Sequence, residues 1–175
     1  IGTLMDDFAT MPKVMRRLAF VQFTSWFAFF ILWVYLTPAV TSFHFDSSDT
    51  ASTAYGEGAL AVNNIFAVYG IVSMVFALAI PVFTRIFGVK IFYAIALLIG
   101  GASFAGLYVV GPDMFWLIAT GIGIVWACVS TLPYVLLADA LPPERMGTYM
   151  GIFNFFIVIP QLVVGTVMGA VLSTF

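Results

Sequence analysis

Five uncharged stretches, each long enough to cross a bilayer, take up most of this 175-residue chain: 18–45, 58–84, 91–112, 114–138 and 146–175. A helix needs about 20 mostly apolar residues to span roughly 30 Å of hydrocarbon. The shortest stretch, 91–112, has 22. A soluble fold of this length would be left with no polar surface. Charged residues make up only 8% of the chain, against about 25% in an ordinary soluble domain. A transmembrane β-barrel needs segments of about 10 residues alternating in polarity, and none is present. The expected fold class is therefore all-α: a polytopic transmembrane helix bundle of five spans. Residues 1–17 form a cytoplasmic pre-helix segment and 18–175 the bundle.

The distribution of charge orients the bundle. The six cations fall in three places: Lys13, Arg16 and Arg17 before the first span, Arg85 and Lys90 between the second and third, and Arg145 between the fourth and fifth. The alternate loops hold only acids, namely Asp46, Asp49 and Glu57 in one and Asp113 in the other. Cytoplasmic loops gather Lys and Arg, so the N-terminus is expected in the cytoplasm and the C-terminus outside. The expected location is a cell membrane, a bacterial inner membrane by preference.

The connections are short, which makes consecutive spans antiparallel neighbours within one domain. The exception is 46–58, a Ser/Thr/Asp/Gly-rich external loop without apolar periodicity. Residues 85–90 and Gly111-Pro112-Asp113 read as tight turns, and Pro142-Pro143 as a rigid break. No secretory signal is visible, because 1–17 contains Asp6 and Asp7 and has no apolar core. The first residue is Ile rather than Met, so a processed, trimmed or partial chain is expected. Leu4, Phe8, Met11 and Met15 recur at helical steps and predict a short interfacial helix, interrupted by Pro12. Cys128 stands alone in mid-span and reads as a small buried apolar residue.

Polar side chains within the spans are few, so their faces matter. Gln22, Trp26, Phe29 and Trp33 fall within about 60° of one another at 100° per residue. An amide and two indoles on one face can bind a sugar, through polar handles and flat rings. The competing structural reading is that Trp gathers at membrane interfaces and that water reaches Gln22. Asn63 and Asn64 in span two are candidates for ligand contact or for simple hydration. In span four, Trp126, Ser130 and Pro133 share a face beside Tyr134. Pro133 withholds a backbone donor and marks either a gating hinge or a static kink. In span five, Asn154 and Gln161 share a face with Gly165 and read first as interhelical hydrogen-bonding groups, with solute contact as the competing reading. The pairs Gly147/Gly151 and Gly165/Gly169 have the spacing that lets helix backbones approach closely.

No Asp, Glu, Lys or Arg lies deep in any span, whereas a proton relay ordinarily needs an intramembrane ionisable group. Asp139, at the cytoplasmic end of span four, sits where the helix macrodipole opposes an anion. A cation is therefore expected beside it, Arg145 or Arg85, as a cytoplasmic gate pair. His44 lies at the outer surface and carries no assigned role. There is no nucleophile with a base, no metal-ligand spacing, no phosphate loop and no basic nucleic-acid patch. An enzyme is not expected, nor is a metal or other cofactor.

Two motifs carry a family resemblance. Arg85-Ile86-Phe87-Gly88-Val89-Lys90 resembles the basic, glycine-containing turn between the second and third helices of each half of major facilitator superfamily transporters, with Thr84 where an Asp often precedes the arginine. The segments 132–139, 145–154 and 157–161 are similar to the tenth and eleventh helices of sucrose- and maltose-type glycoside:cation symporters. Gln22-Phe23-Thr24-Ser25-Trp26-Phe27-Ala28 resembles the start of their seventh helix, and Tyr55-Gly56-Glu57-Gly58 their external loop.

The resemblance implies helices seven to eleven of a twelve-helix fold, with an N-terminal half of the same transporter as partner and the proton-coupling carboxylate in that half. It implies that Gln22, Trp26, Trp33, Trp126 and Ser130 contribute to a sugar site, to which Asn63 and Asn154 are added as candidates from their polar positions in spans two and five. Arg85, Asp139 and Arg145 are then the cytoplasmic gate. The expected function is transport of a sugar such as sucrose or maltose, coupled to protons, by alternating access within membrane lipid. The alternatives are a facilitator for another solute or drug, and a five-helix scaffold or channel subunit.

Overall fold

The computed structural model describes residues 10–172, and these are helical almost throughout. The helices are α1, Lys13–His44; α2, Thr53–Phe87; α3, Val89–Val109; α4, Phe115–Ala138; and α5, Met146–Val163. The last runs on through a π-helical turn, Val164–Met168, and ends with Gly169–Leu172. All five, with the short 3-10 turns Pro112–Met114 and Pro143–Arg145 that lead into α4 and α5, are long and apolar enough to cross a membrane. The expected all-α bundle of five spans is what forms.

Local chemistry sets the ends. The 32 residues of α1 measure about 48 Å at 1.5 Å per residue, well beyond the hydrocarbon thickness. Lys13, Arg16 and Arg17 therefore lie inside the helix rather than ahead of it. The predicted interfacial helix falls largely outside the described residues; Met15, its last member, is fully buried within α1. After His44 the chain turns through Asp46 at φ 48°, and the Phe45 and Ser47 amides return to the Thr41 carbonyl.

The loop predicted over 46–58 is shorter than expected. Ser52 caps α2, its hydroxyl accepting from the Tyr55 amide at 3.1 Å, so Tyr55, Gly56 and Glu57 are already helical. A serine cap supplies an acceptor that first-turn amides lack. At the other end one residue, Gly88 at φ 78°, separates α2 from α3. That left-handed value favours glycine, and the turn predicted over 85–90 contracts to it.

The helices fall into two compact units. One holds the described residues up to Val34 and those from Pro133 onward; the other is Tyr35–Leu132. The division runs through α1 and α4 rather than through a connecting loop. In the first unit Met15, Leu18 and Ala19 of α1, Leu137 of α4, Leu141, and Tyr149, Ile152 and Phe153 of α5 form one buried cluster.

In the second unit, small residues let helices meet. A Cβ on Gly123 of α4 would lie 2.8 Å from the Tyr69 carbonyl oxygen of α2, and one on Gly100 of α3 would strike Val125 of α4. Phe83 of α2 stacks on Phe92 of α3 at 5.3 Å. Close approach was expected in span five, but Gly147, Gly151 and Gly165 have no atom within 4 Å of an added Cβ. They lie on the exposed side of α5, so what is packed here does not use them.

Candidate functional site

In the first unit, α1 turns its aromatic and amide stripe inward. Gln22 is wholly buried and Phe29 nearly so, while Trp26 and Trp33 are half-buried. Neither atom of the Gln22 side-chain amide has a hydrogen-bond partner among the described residues. In a low-dielectric interior an amide without a partner costs on the order of 1–3 kcal/mol.

The rings around it form a continuous array along α1. Trp26 and Trp33 meet edge to face at 6.1 Å. Trp33 also contacts Phe30 at 5.0 Å and Phe29 at 5.8 Å. Trp26 stacks on Phe30 at 6.0 Å. Phe30 was not singled out in the sequence, although its position four residues after Trp26 is the signal for it. These rings hold one another in place, so the stripe is a preorganised aromatic wall with an amide at its N-terminal end.

Asn154 lies elsewhere in the same unit, on the exposed side of α5. Its Oδ1 accepts from the Tyr134 hydroxyl at 3.3 Å, and the Tyr134 ring meets Phe153 edge to face at 5.8 Å. An interhelical hydrogen bond thus engages Asn154 Oδ1, while its amide NH2 is not part of that bond. Asp139 follows α4 and is exposed; its amide closes onto the Val135 carbonyl. Within its own unit no described residue forms an ion pair with the Asp139 carboxylate. Arg145 is exposed in the 3-10 turn before α5, its guanidinium 5.3 Å from the centre of the Tyr149 ring. The sequence missed that contact, though the four-residue spacing of Arg145 and Tyr149 shows it.

The second unit holds the remaining candidates. Trp126 is half-buried and Ser130 exposed. The Ser130 hydroxyl donates to the Trp126 carbonyl at 2.8 Å, so its proton is spent within α4 and only its lone pairs remain for a ligand. Asn63 is exposed on α2. Its neighbour Asn64 instead borders a cavity of about 210 Å³ with Pro112, Asp113 and Trp116. Arg85 is exposed in the last turn of α2.

His44, given no role in the sequence, is a structural tie in this unit. Its Nε2 hydrogen-bonds the Leu107 carbonyl at 2.8 Å, and its ring meets Phe115 edge to face at 5.1 Å. That links the ends of α1 and α3 to the start of α4. No metal-binding cluster occurs among the described residues. The chemistry available is recognition: an unsatisfied amide, a row of indole and phenyl faces, and scattered hydroxyl and amide groups.

A family model described as Major Facilitator Superfamily matches residues 5–173. Comparisons with curated proteins and with solved structures return no match.

Proposed function

Because the chain belongs to the major facilitator superfamily, we propose that it forms helices seven to eleven of a proton-coupled transporter for α-glucosides such as sucrose or maltose. That it is a multi-pass membrane transporter follows from the family and the five apolar helices. The narrower reading adds the solute, the coupling ion and the place in a longer fold. An N-terminal half supplies the remaining wall of the cavity and the proton-coupling carboxylate. The two halves alternate access about a midplane site. Arg85, Asp139 and Arg145 serve the cytoplasmic gate, and the N-terminus lies in the cytoplasm.

One observation carries this reading: the buried, unpartnered Gln22 amide beside the Trp26–Trp33 wall. The amide offers both donors and acceptors, and a ring bearing neighbouring hydroxyls satisfies both at once. The apolar face of the same ring stacks on indole. Such a face is poorly matched to an ion, which needs charge or several oxygens. Because atoms of this chain already cover the amide, a solute reaches it only after those atoms move, as alternating access requires.

Tryptophan fluorescence of the intact transporter tests the proposal. Sucrose or maltose should quench it saturably, and Trp26→Phe should remove most of the response. Uptake into liposomes should follow an inward proton gradient. Quenching by an amphipathic aromatic solute, with none by sugars, would select the facilitator alternative.

A further inference from the structure

The cytoplasmic-side turns of α1 carry a feature that solute transport does not use. Lys13, Arg16 and Arg17 are all exposed. At i, i+3 and i+4 they share one face of the helix, opposite buried Met15, Leu18 and Ala19. Among the described residues they line, with Phe20 and Val21, an open depression of about 720 Å³. No acid stands in the first turn of α1, and among the described residues none of the three cations is ion-paired. Cations at a helix N-terminus work against its macrodipole, so this placement is not explained by helix stability. It produces a local field that attracts an anion.

Phe20 identifies the kind of anion. It is 70% exposed and points from the same face as Lys13, about 10 Å deeper at 1.5 Å per residue. The headgroup layer on each side of a bilayer is about 5–7 Å thick, the difference between the full and hydrocarbon thicknesses shared over two leaflets. With the cations at phosphate depth, the ring therefore lies among the first acyl carbons. Positive charge above and an apolar ring below match one amphiphile end to end.

We propose that this face of α1 is a binding site for an anionic phospholipid of the surrounding leaflet. Lys13, Arg16 and Arg17 hold the headgroup phosphate and Phe20 packs on the acyl chain. A zwitterionic lipid is disfavoured because its own cation is brought against Lys13. The site is independent of which solute is carried, so its failure would leave the transport reading untouched.

Intact transporter in nanodiscs of mixed phosphatidylglycerol and phosphatidylcholine, released and weighed by native mass spectrometry, gives the test. Phosphatidylglycerol should be retained preferentially. The triple variant Lys13→Gln, Arg16→Gln, Arg17→Gln should lose that preference by about hundredfold, at about fivefold per cation. Arg16→Lys with Arg17→Lys should keep it, and Phe20→Ala should weaken retention of both lipids alike. Displacement of the lipid by inorganic phosphate at millimolar concentration would overturn the proposal in favour of a free-anion site. Equal retention of the two lipids by the unmodified protein would overturn it outright, whether or not the triple variant inserts.

Discussion

The Tyr134 hydroxyl donates to Asn154 Oδ1 at 3.3 Å, joining the end of α4 to the middle of α5. Both residues were conspicuous in the sequence as polar groups in apolar spans. Interhelical hydrogen bonds in membranes average about 0.6 kcal/mol and rarely exceed about 1.7, because the separated helices find other partners. Tyr134→Phe should therefore lower stability only by about that average. A double-mutant cycle of Tyr134→Phe with Asn154→Leu, read by thermal unfolding in detergent, should return a coupling energy below about 1.7 kcal/mol. A larger value would mean that the pair is part of a wider network.

Gln22 gives the opposite sign. An unsatisfied buried amide destabilises the conformation that contains it by on the order of 1–3 kcal/mol, and Met has nearly the same shape. Gln22→Met should raise the melting temperature of the intact transporter. It should also abolish sugar quenching, since the donor and acceptor are gone. Lower stability would show that the amide is satisfied in the ground state.

The glycines separate packing from composition. Ala at Gly123 brings a methyl to 2.8 Å from the Tyr69 carbonyl oxygen and the Val72 Cβ. Backbone gives way poorly, and overpacking of this kind costs about 1–3 kcal/mol. Gly147→Ala meets nothing within 4 Å and should not lower stability. Measured side by side in the same detergent, the first variant should melt well below the second. Equal melting would contradict the α2–α4 contact.

What the sequence disclosed, and what it hid, follows from the physics of each signal. The five spans were legible because burial in lipid demands long uncharged runs, and the α1 stripe because helical periodicity fixes which residues share a face. The start of α2 was not, since a Ser52 cap turns a polar stretch that looks like loop into first-turn helix. Glycine spacing marked Gly147 and Gly165, which stand in open space, and passed over Gly123, which does not. Spacing says where a close approach is allowed, and only the partner helix says where it happens. Asn154 was legible as an interhelical hydrogen-bonding group as well as a candidate solute contact, but one sequence position gives no hint that its partner is a tyrosine 20 residues earlier. His44 drew no role because its acceptor, the Leu107 carbonyl, is 63 residues away.

That carbonyl makes His44 a stability residue of a testable kind. His44→Ala removes the 2.8 Å hydrogen bond to Leu107 and the edge contact with Phe115. A hydrogen bond nets about 1 kcal/mol and an aromatic edge contact about 0.5–1.5. The variant should lose about 1.5–2.5 kcal/mol in thermal unfolding. It should leave sugar quenching of Trp26 in place, since His44 is absent from the proposed site.

Asp139 allows stability and mechanism to be read apart. It stands at the C-terminal end of α4, where the negative pole of the helix opposes a carboxylate by about 0.3–1 kcal/mol. Within its own unit no described residue forms an ion pair with it, and the Arg145 guanidinium lies 5.3 Å from the centre of the Tyr149 ring. On those grounds alone Asp139→Asn should raise the melting temperature slightly. If the proposed gate closes by bringing a guanidinium to this carboxylate in another conformation, the same variant should slow exchange between inward- and outward-open states. Counterflow of labelled sugar in liposomes, which reports that exchange without net proton movement, should then fall severalfold while sugar affinity holds. A variant that is more stable and cycles at the original rate would leave Asp139 a surface carboxylate and remove it from the gate.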